Sequence, residues 1–206
     1  MHILILGASK DSRNWHKKPQ ITFDYLICAD GGLILAEKWG LKPNLVLGDG
    51  DSYGRDFPPD LAAINFQTEK DATDSELAIQ KALELGATKI TLIGFLGGRL
   101  DHTLANLFFI TALKTVKFCF KEEWGEVYLA EKTTEILGQK GEVISLIPLT
   151  ESVEGISTVD LKYPLVNETL FKNQTRGISN ILVKDKALVR KKRGELLIVH
   201  LKEGNL

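Results

Sequence analysis

Short, continuously apolar runs that end near glycine or aspartate recur through the N-terminal part of this 206-residue chain. Apolarity without alternation between apolar and polar positions is typical of strands that are buried on both faces of a parallel sheet. Segments with helical periodicity follow these runs, which predicts a doubly wound α/β domain with a mostly parallel sheet. The predicted strands are His2–Leu6, Tyr25–Cys28, Asn44–Leu47, Lys89–Ile93 and Val116–Phe120.

The clearest helix is predicted at residues 75–85, where apolar side chains recur along one stripe. Gly86 follows the stripe and favours a C-terminal cap. The segment before it has the Thr-x-x-Glu spacing of a capping box, in which Thr73 accepts a hydrogen bond from the backbone of Glu76. The helix therefore begins at Thr73 or Asp74.

From about Glu126 onward the pattern changes to short segments rich in β-forming residues, punctuated by proline and glycine. No three-turn helix is indicated there, except for a possible short one at Asn167–Phe171. We therefore predict an α/β domain at residues 1–125 and an all-β sandwich domain at residues 126–206. The predicted strands are 126–130, 143–147, 158–161, 181–184, 187–189 and 196–201.

Charge and cysteine content narrow the functional classes. With 26 basic and 27 acidic residues, the chain has no overall field that would attract nucleic acid or an acidic membrane. Cys28 and Cys119 lie inside apolar runs, which favours reduced core residues over a disulfide framework. The first apolar run is too short to span a membrane, and no signal-peptide pattern follows it. We expect a soluble, cytoplasmic protein that binds neither nucleic acid nor membrane.

Aspartates are concentrated in short loops at the ends of the predicted elements. Because the carboxyl ends of parallel strands share one edge of the sheet, these loops are expected to meet where ligands bind. Two carboxylates about 4 Å apart near a protein surface repel each other by about 4 kcal/mol, so such a cluster indicates a cation, and Mg²⁺ holding a substrate's phosphates fits best. Each aspartate alone also fits the cap of a helix or turn. The loops are Gly48-Asp-Gly-Asp-Ser52, Lys70-Asp-Ala-Thr-Asp74 and Gly97-Gly-Arg-Leu-Asp-His102.

Glycine pairs and basic side chains accompany these aspartates. The pairs at 31–32 and 97–98 allow backbone amides to approach phosphate oxygens, although ordinary turns also use them. Arg99 is suited to a bidentate phosphate contact or, alternatively, to a surface ion pair with Asp101. Lys70 is either a phosphate contact or a solvated loop charge. No Walker A sequence and no complete Gly-x-Gly-x-x-Gly fingerprint occurs, which counts against P-loop and dinucleotide-binding proteins.

Taken together, the motifs resemble those of thiamine pyrophosphokinases of the bacterial type. The order and spacing match at Ala29-Asp-Gly-Gly32 and at the three aspartate loops. Ser145-Leu-Ile-Pro148, Leu161-Lys-Tyr-Pro-Leu165 and Gly177-Ile-Ser-Asn180 resemble the second domain. The resemblance covers nearly the whole chain. It implies an enzyme that transfers the diphosphate of ATP, in one step, to the hydroxyethyl oxygen of thiamine, giving thiamine diphosphate and AMP.

The resemblance also implies roles for individual residues and for the assembly. It implies a homodimer with the active site between subunits, in which the second domain binds thiamine and dimerises. Asp49, Asp51 and Asp74 would hold Mg²⁺, and Asp74, Asp101 and Arg99 would be catalytic. The expected thiamine contacts are Ser179 and Asn180. The expected nucleotide contacts are Asp30, Gly31, Gly32, Ser52, Lys70, Thr73, Arg99 and His102.

The residues suit such a reaction on physical grounds, because phosphoryl transfer to an alcohol needs mainly positioning and charge neutralisation. Either Asp74 or Asp101 would accept the alcohol proton. His102 fits a structural role at a helix start as well as a nucleotide contact.

Two features depart from the family pattern. Some members stack the vitamin on a tryptophan of the second domain, whereas Trp15, Trp39 and Trp124 are not placed for that and are expected in the core. Gly50 stands where the family often has a bulky apolar residue. Two other functions stay open, namely transfer to another alcohol such as a pterin, and a non-catalytic sensor of nucleotide or thiamine phosphate.

Overall fold

The computed structural model describes residues 1–65, 72–113 and 116–202. The chain divides into two compact units, Met1–Glu123 and Trp124–Leu206, and each is described by itself. The first unit combines parallel strands with helices, and the second is built from antiparallel strands. No helix within the described ranges is long and apolar enough to cross a membrane.

The sheet of the first unit consists of parallel strands, and the four strands at 2–6, 25–29, 45–48 and 89–93 have almost completely buried side chains, as the apolar runs predicted. All five predicted strands are confirmed, two of them with the predicted ends and three with ends shifted by one or two residues. The short β4 was not predicted because its three residues are exposed and carry no apolar pattern. The strands are β1 (His2–Leu6), β2 (Tyr25–Ala29), β3 (Leu45–Gly48), β4 (Ala63–Asn65), β5 (Lys89–Ile93) and β6 (Lys117–Glu122).

The order of these strands across the sheet is β6-β5-β1-β2-β3-β4. The chain runs from β1 outward to β4 and then returns to place β5 on the other side of β1. The connections from β1 and β5 therefore leave the sheet in opposite directions, and a crevice opens between them at the carboxyl edge. In open parallel sheets this reversal point is the usual place for a ligand.

Three α-helices are described in the first unit: α1 (Gly32–Lys38), α2 (Asp74–Glu84) and α3 (Leu100–Phe109). The start of α2 confirms the capping box, because the Thr73 side chain accepts a hydrogen bond of 3.2 Å from the Glu76 backbone N–H. The helix stops before Gly86, whose φ of +81° suits a glycine cap. Trp15 and Trp39 pack edge to face in the core, with ring centroids 5.4 Å apart.

The second unit contains two antiparallel sheets, with orders β12-β9-β14-β7 and β11-β10-β13-β8. One apolar cluster collects side chains from both sheets, among them Leu146 and Ile198 from the first and Val153 and Val189 from the second. The strands are β7 (Gly125–Leu129), β8 (Thr133–Leu137), β9 (Val143–Pro148), β10 (Ser152–Val159), β11 (Glu168–Phe171), β12 (Asn180–Ile181), β13 (Lys186–Arg190) and β14 (Leu196–Leu201).

The possible short helix at Asn167–Phe171 was wrong, because this segment forms strand β11 and pairs with β10. Asn167 has a φ of +51°, which is incompatible with continuing a right-handed helix. The predicted strand at 181–184 is shorter than expected, since only Asn180–Ile181 pairs with β9. Strand β8 was missed because Ile136 is its single buried residue, so its sequence shows no apolar alternation.

Candidate functional site

A cavity of about 330 Å³ lies at the carboxyl edge of the parallel sheet, in the crevice where the strand order reverses. Its walls come from the loops after β1, β2, β3 and β5 and from the first turns of α2 and α3. All three aspartate loops contribute to the cavity, but only seven of their residues line it, and Asp74 is the one aspartate among these seven. The predicted site residues that line the cavity are Asp30, Gly31, Ser52, Thr73, Asp74, Arg99 and His102.

Asp30 is the most constrained residue of this cavity. It is only 3% exposed and has a φ of +43°, which is unusual for a residue other than glycine. One carboxylate oxygen, Oδ2, accepts a hydrogen bond of 2.8 Å from the backbone N–H of Ser52. The other oxygen, Oδ1, is buried without a hydrogen-bond partner in the described parts of the chain. Because an unpaired buried acceptor is costly, Oδ1 is suited to a donor or a cation that a ligand brings.

The glycine pair after Asp30 is explained by close packing. A Cβ on Gly32 would lie 2.0 Å from the carbonyl oxygen of Leu6, and one on Gly31 would lie 2.7 Å from the Cβ of Ala8. The start of α1 therefore packs directly against the end of β1. Gly31 lines the cavity but Gly32 does not, so the nucleotide contact of Gly32 stays a prediction.

Arg99 and Asp101 form a bidentate ion pair on the surface. The Nε–Oδ1 distance is 3.1 Å and the Nη2–Oδ2 distance is 2.5 Å, and the two side chains are 69% and 63% exposed. Hydrogen bonding from Arg99 lowers the pKa of Asp101 to about 2. Asp101 is consequently a weak proton acceptor. Arg99 reaches the cavity wall, whereas Asp101 is not among the lining residues.

Asp49 and Asp51 lie outside the cavity and line a separate open cleft beside Arg55 and Asp56. Asp49 Oδ1 accepts a hydrogen bond of 3.1 Å from the backbone N–H of Asp51, which is a local turn contact. Within residues 1–65, 72–113 and 116–202, no group of three histidine, cysteine, aspartate or glutamate side chains is placed to hold a metal ion. The predicted triad of Asp49, Asp51 and Asp74 is therefore not assembled in this arrangement.

Lys70 and its neighbour Asp71 lie outside the described residues. Lys70 as a nucleotide contact accordingly stays a prediction.

Ser179 and Asn180 differ in how far they are accessible. Asn180 is 4% exposed, and its carboxamide bonds to the backbone of Tyr163 in both directions, at 2.9 Å from the N–H and 2.7 Å to the C=O. Ser179 is exposed and has a φ of +57°, and its N–H donates to Ser145 Oγ at 3.0 Å. The side chain of Asn180 thus holds Tyr163, and Ser179 is the residue with a side chain open to a ligand.

Glu122, at the end of β6, was missed by the sequence analysis. It is 3% exposed and accepts hydrogen bonds from the backbone N–H groups of Gly94, Phe95 and Leu96. Burial raises the pKa of Glu122 to about 7, against the opposing effect of these amide hydrogen bonds. The alternation in β6 was the available signal, because Glu122 shares the buried face with Phe118 and Phe120.

Comparisons with known proteins agree across both units. A family model described as "Thiamin pyrophosphokinase, catalytic domain" matches residues 18–120, and one described as "Thiamin pyrophosphokinase, vitamin B1 binding domain" matches residues 131–194. The chain is 28% identical over 182 residues to a thiamine pyrophosphokinase of Bacillus subtilis, covering 84% of this chain and 85% of that relative.

Solved structures show the same fold. A thiamine pyrophosphokinase of Bacillus subtilis superposes with a TM-score of 0.84 at 23% identity, covering 98% of this chain and 100% of the other. A thiamin pyrophosphokinase of Geobacillus thermodenitrificans superposes with a TM-score of 0.81 at 24% identity, covering 99% of each chain. At these identities the superpositions support the fold alone, and the assignment of the chain to a family rests on the two family models.

Proposed function

The chain belongs to the thiamin pyrophosphokinase family, an enzyme family whose reaction transfers the diphosphate of ATP to thiamine, and we propose that the cavity holding Asp30, Asp74 and Arg99 is where this chain performs it. The observation that carries the proposal is the unpaired, buried Oδ1 of Asp30 in a cavity at the reversal point of the parallel sheet. That oxygen needs a partner that the described chain does not supply. A nucleotide with its counter-ion supplies both hydroxyl donors and positive charge.

The basic side of the cavity suits the phosphates of ATP. A guanidinium has five N–H donors, and Asp101 takes two of those of Arg99, which leaves donors for phosphate oxygens. Thr73 caps α2 through its side chain, so the first turn of this helix presents its positive end to the cavity. We assign the nucleotide contacts to Asp30, Gly31, Gly32, Ser52, Lys70, Thr73, Arg99 and His102.

Carboxylate oxygens form a donor set that fits Mg²⁺. We assign its binding to Asp49, Asp51 and Asp74, which are not assembled in this arrangement and would come together when the ion binds. When bound, the ion would neutralise charge on the transferred diphosphate. The protein's own contribution is to bring carboxylates of different loops to the phosphates and to orient the alcohol.

The proton of the thiamine hydroxyl needs an acceptor on the protein or the substrate. Both Asp74 and Asp101 suit this role by residue type, but the hydrogen bonds from Arg99 hold Asp101 ionised and weakly basic. Asp74 also lines the cavity, whereas Asp101 does not. We therefore assign proton acceptance to Asp74, and we assign to Asp101 the orientation of Arg99.

Thiamine is assigned to the second unit in a homodimer with the active site between subunits. Ser179 would contact it through its exposed side chain, and Asn180 would act through the backbone of Tyr163, to which its carboxamide is bonded. Three exposed apolar side chains one turn apart on α3, Leu100, Leu104 and Phe108, support association with a second copy. The shared apolar cluster of the two antiparallel sheets supports a β-sandwich. Helices follow β2, β4 and β5, which supports a doubly wound sheet in the first unit.

Cys28 and Cys119 form no disulfide, which supports a reducing, cytoplasmic environment. The near balance of charges supports a protein without a nucleic-acid or membrane partner.

The test is to incubate the purified protein with ATP, MgCl₂ and thiamine and to follow AMP and thiamine diphosphate by chromatography. We expect equal amounts of the two products, and none when thiamine is omitted or EDTA is added. Activity with a pterin alcohol but not with thiamine would show that the protein uses a different acceptor alcohol. Binding of ATP without any thiamine-dependent AMP would favour a sensor and overturn the proposed activity.

A further inference from the structure

The Glu122 carboxylate holds three successive backbone amides of the loop after β5. Its Oε1 lies 3.1 Å from the nitrogen of Gly94, 3.0 Å from that of Phe95 and 3.1 Å from that of Leu96. The Gly94 nitrogen also lies 3.3 Å from Oε2. A side chain at the end of β6 thus accepts hydrogen bonds from the backbone of a loop that lies more than 25 residues earlier in the sequence.

The same loop is tied at further points. The Gly97 N–H donates to Thr103 Oγ1 at 3.0 Å, and the buried Asn106 carboxamide donates to the Phe95 carbonyl at 3.0 Å. The Ser9 N–H donates to the Gly94 carbonyl at 2.9 Å. These contacts join the loop after β5 to α3 and to the loop after β1, so its conformation is set from several elements.

This loop forms part of the wall of the cavity. Gly94, Phe95, Gly97, Gly98 and Arg99 all line it. Gly94, Gly97 and Gly98 have φ values of +81°, +95° and +72°, a region that costs little for glycine. Because glycine has more backbone freedom than other residues, three glycines within five residues make this loop costly to fix in one conformation, and contacts from outside the loop offset that cost.

A buried carboxylate is an expensive way to fill a core position. Burial raises the pKa of Glu122, the three amide hydrogen bonds oppose this rise, and the negative charge of Asp11 adds a smaller rise. An apolar residue at position 122 would avoid that cost but would leave three buried N–H groups unpaired. What Glu122 supplies is a hydrogen-bond acceptor oxygen whose side chain is long enough to reach the three backbone N–H groups.

We propose that Glu122 is a positioning residue that fixes the backbone of residues 94–98, and through it Arg99, in the conformation that receives the phosphates of ATP. This proposal rests on the proposed function, because it takes the cavity as the ATP site. Glu122 does not line the cavity and therefore acts through the loop.

Two conservative variants separate the reach of the acceptor from its charge. Glu122→Gln keeps an acceptor oxygen at the same reach and removes the charge, whereas Glu122→Asp keeps the charge and withdraws the acceptor by one methylene. The exposed neighbour Glu123 gives the matched controls Glu123→Gln and Glu123→Asp. ATP binding is measured by titration calorimetry with MgCl₂ and without thiamine, and KM for ATP and kcat are measured in the full reaction.

We expect Glu122→Asp to weaken ATP binding and to raise KM for ATP on the order of tenfold, with a smaller change in KM for thiamine. Glu122→Gln should stay within about threefold of the wild type, because its oxygen still accepts from the three amides. The controls should match the wild type. Equal ATP affinity in folded Glu122→Asp and wild-type protein would overturn the proposal, as would an equal loss in both Glu122 variants.

Hydrogen exchange of residues 94–96 in the ATP-free protein tests the loop directly. We expect these amides to exchange about tenfold faster in Glu122→Asp than in Glu123→Asp. This measurement and ATP binding are independent of turnover. If the wild-type protein binds ATP but forms no thiamine-dependent AMP, the proposed activity is overturned. ATP binding and hydrogen exchange of the variants would still decide whether Glu122 positions the loop.

Discussion

The loops after β5 and β3 both carry residues of the proposed site, but they are held in different ways. The loop after β5 is tied by buried contacts, with Glu122 and Asn106 bonded to its backbone. The loop after β3 has one contact to a buried side chain, from the Ser52 N–H to Asp30, and is otherwise tied nearer the surface, where Arg55 and Tyr53 both donate to Glu37 at 2.7–2.9 Å. The Arg55 and Glu37 side chains are 64% and 41% exposed. The first loop is preorganised by the fold, whereas the second leaves Asp49 and Asp51 beside solvent.

This difference fits two separate functions, with phosphate contact in the loop after β5 and cation binding in the loop after β3. A wall that contacts phosphates gains from a fixed geometry, because reorganisation during the reaction is avoided. Aspartates that bind a cation repel one another until the cation arrives, so a more open loop avoids that cost in the free protein. On this view the fold sets the position of Arg99, and Mg²⁺ sets the positions of Asp49 and Asp51.

The largest effect is expected from removing a carboxylate of the proposed metal site. Asp74→Asn and Asp51→Asn should each lower kcat/KM by about 10³-fold, because an amide keeps the shape but not the charge that holds the ion. The free energy of unfolding, measured in urea without metal, should stay close to that of the wild type. Asp60→Asn, at an exposed ion pair with Lys42, is the control. Wild-type rates in Asp74→Asn would remove Asp74 from the site.

The two loops should respond differently to the same glycine substitution. A Cβ on Gly94 would lie 2.7 Å from the carbonyl oxygen of Gly7, whereas the nearest atom to one on Gly50 is 3.4 Å away, and both glycines have positive φ. We expect Gly94→Ala to lower the free energy of unfolding by about 4 kcal/mol and Gly50→Ala by about 1 kcal/mol. Urea denaturation measures both. Equal losses would show that the loop after β5 is no more constrained than the loop after β3.

The buried carboxylate of the fixed loop should give stability a pH dependence. The pKa of Glu122 is raised from 4.5 to about 7, so between these values the native state holds a proton that the unfolded state has released. Stability should therefore fall as pH rises from 4.5 to 7, by about 3 kcal/mol relative to Glu122→Gln. Urea denaturation across this range tests it. A difference between the two proteins that is constant with pH would contradict it.

The smallest effect is expected at the surface contacts of the loop after β3. Glu37→Gln weakens the contacts to Arg55 and Tyr53, yet exposed ion pairs contribute little to stability. The thermal midpoint should move by no more than about 2 °C, as for the control Glu84→Gln at the exposed Lys81 pair. A shift as large as that of Gly94→Ala would show that Glu37 anchors its loop as firmly as Glu122 anchors the other.

Local sequence patterns predicted the features that depend on neighbours along the chain. The capping box from Thr73 to Glu76 spans one turn, and the parallel strands follow from runs of four or five apolar residues. Family membership and the activity were also recognisable from motifs in their order. The short helix considered at Asn167–Phe171 was wrong because the pairing of this segment with β10 overrode its local composition.

Contacts between distant residues explain most of what the sequence analysis missed. The bond from Ser52 to Asp30 joins residues 22 apart, and that from Gly94 to Glu122 joins residues 28 apart. The commitment of Asn180 to Tyr163 is likewise a contact between separate segments. None of these pairs has a fixed spacing, so periodicity does not reveal them.

The sequence by itself determined that the first unit is α/β, that its aspartate and glycine motifs follow strands and open helices, and to which family the chain belongs. The tertiary structure decided which motifs share a cavity: Asp30, Asp74 and Arg99 meet there, whereas Asp49 and Asp51 line another cleft. It also decided that Glu122 faces the loop after β5. The physical reason is that apolar periodicity and capping depend on neighbouring residues, whereas the partners of a buried polar group depend on strand order, which places β5 between β1 and β6.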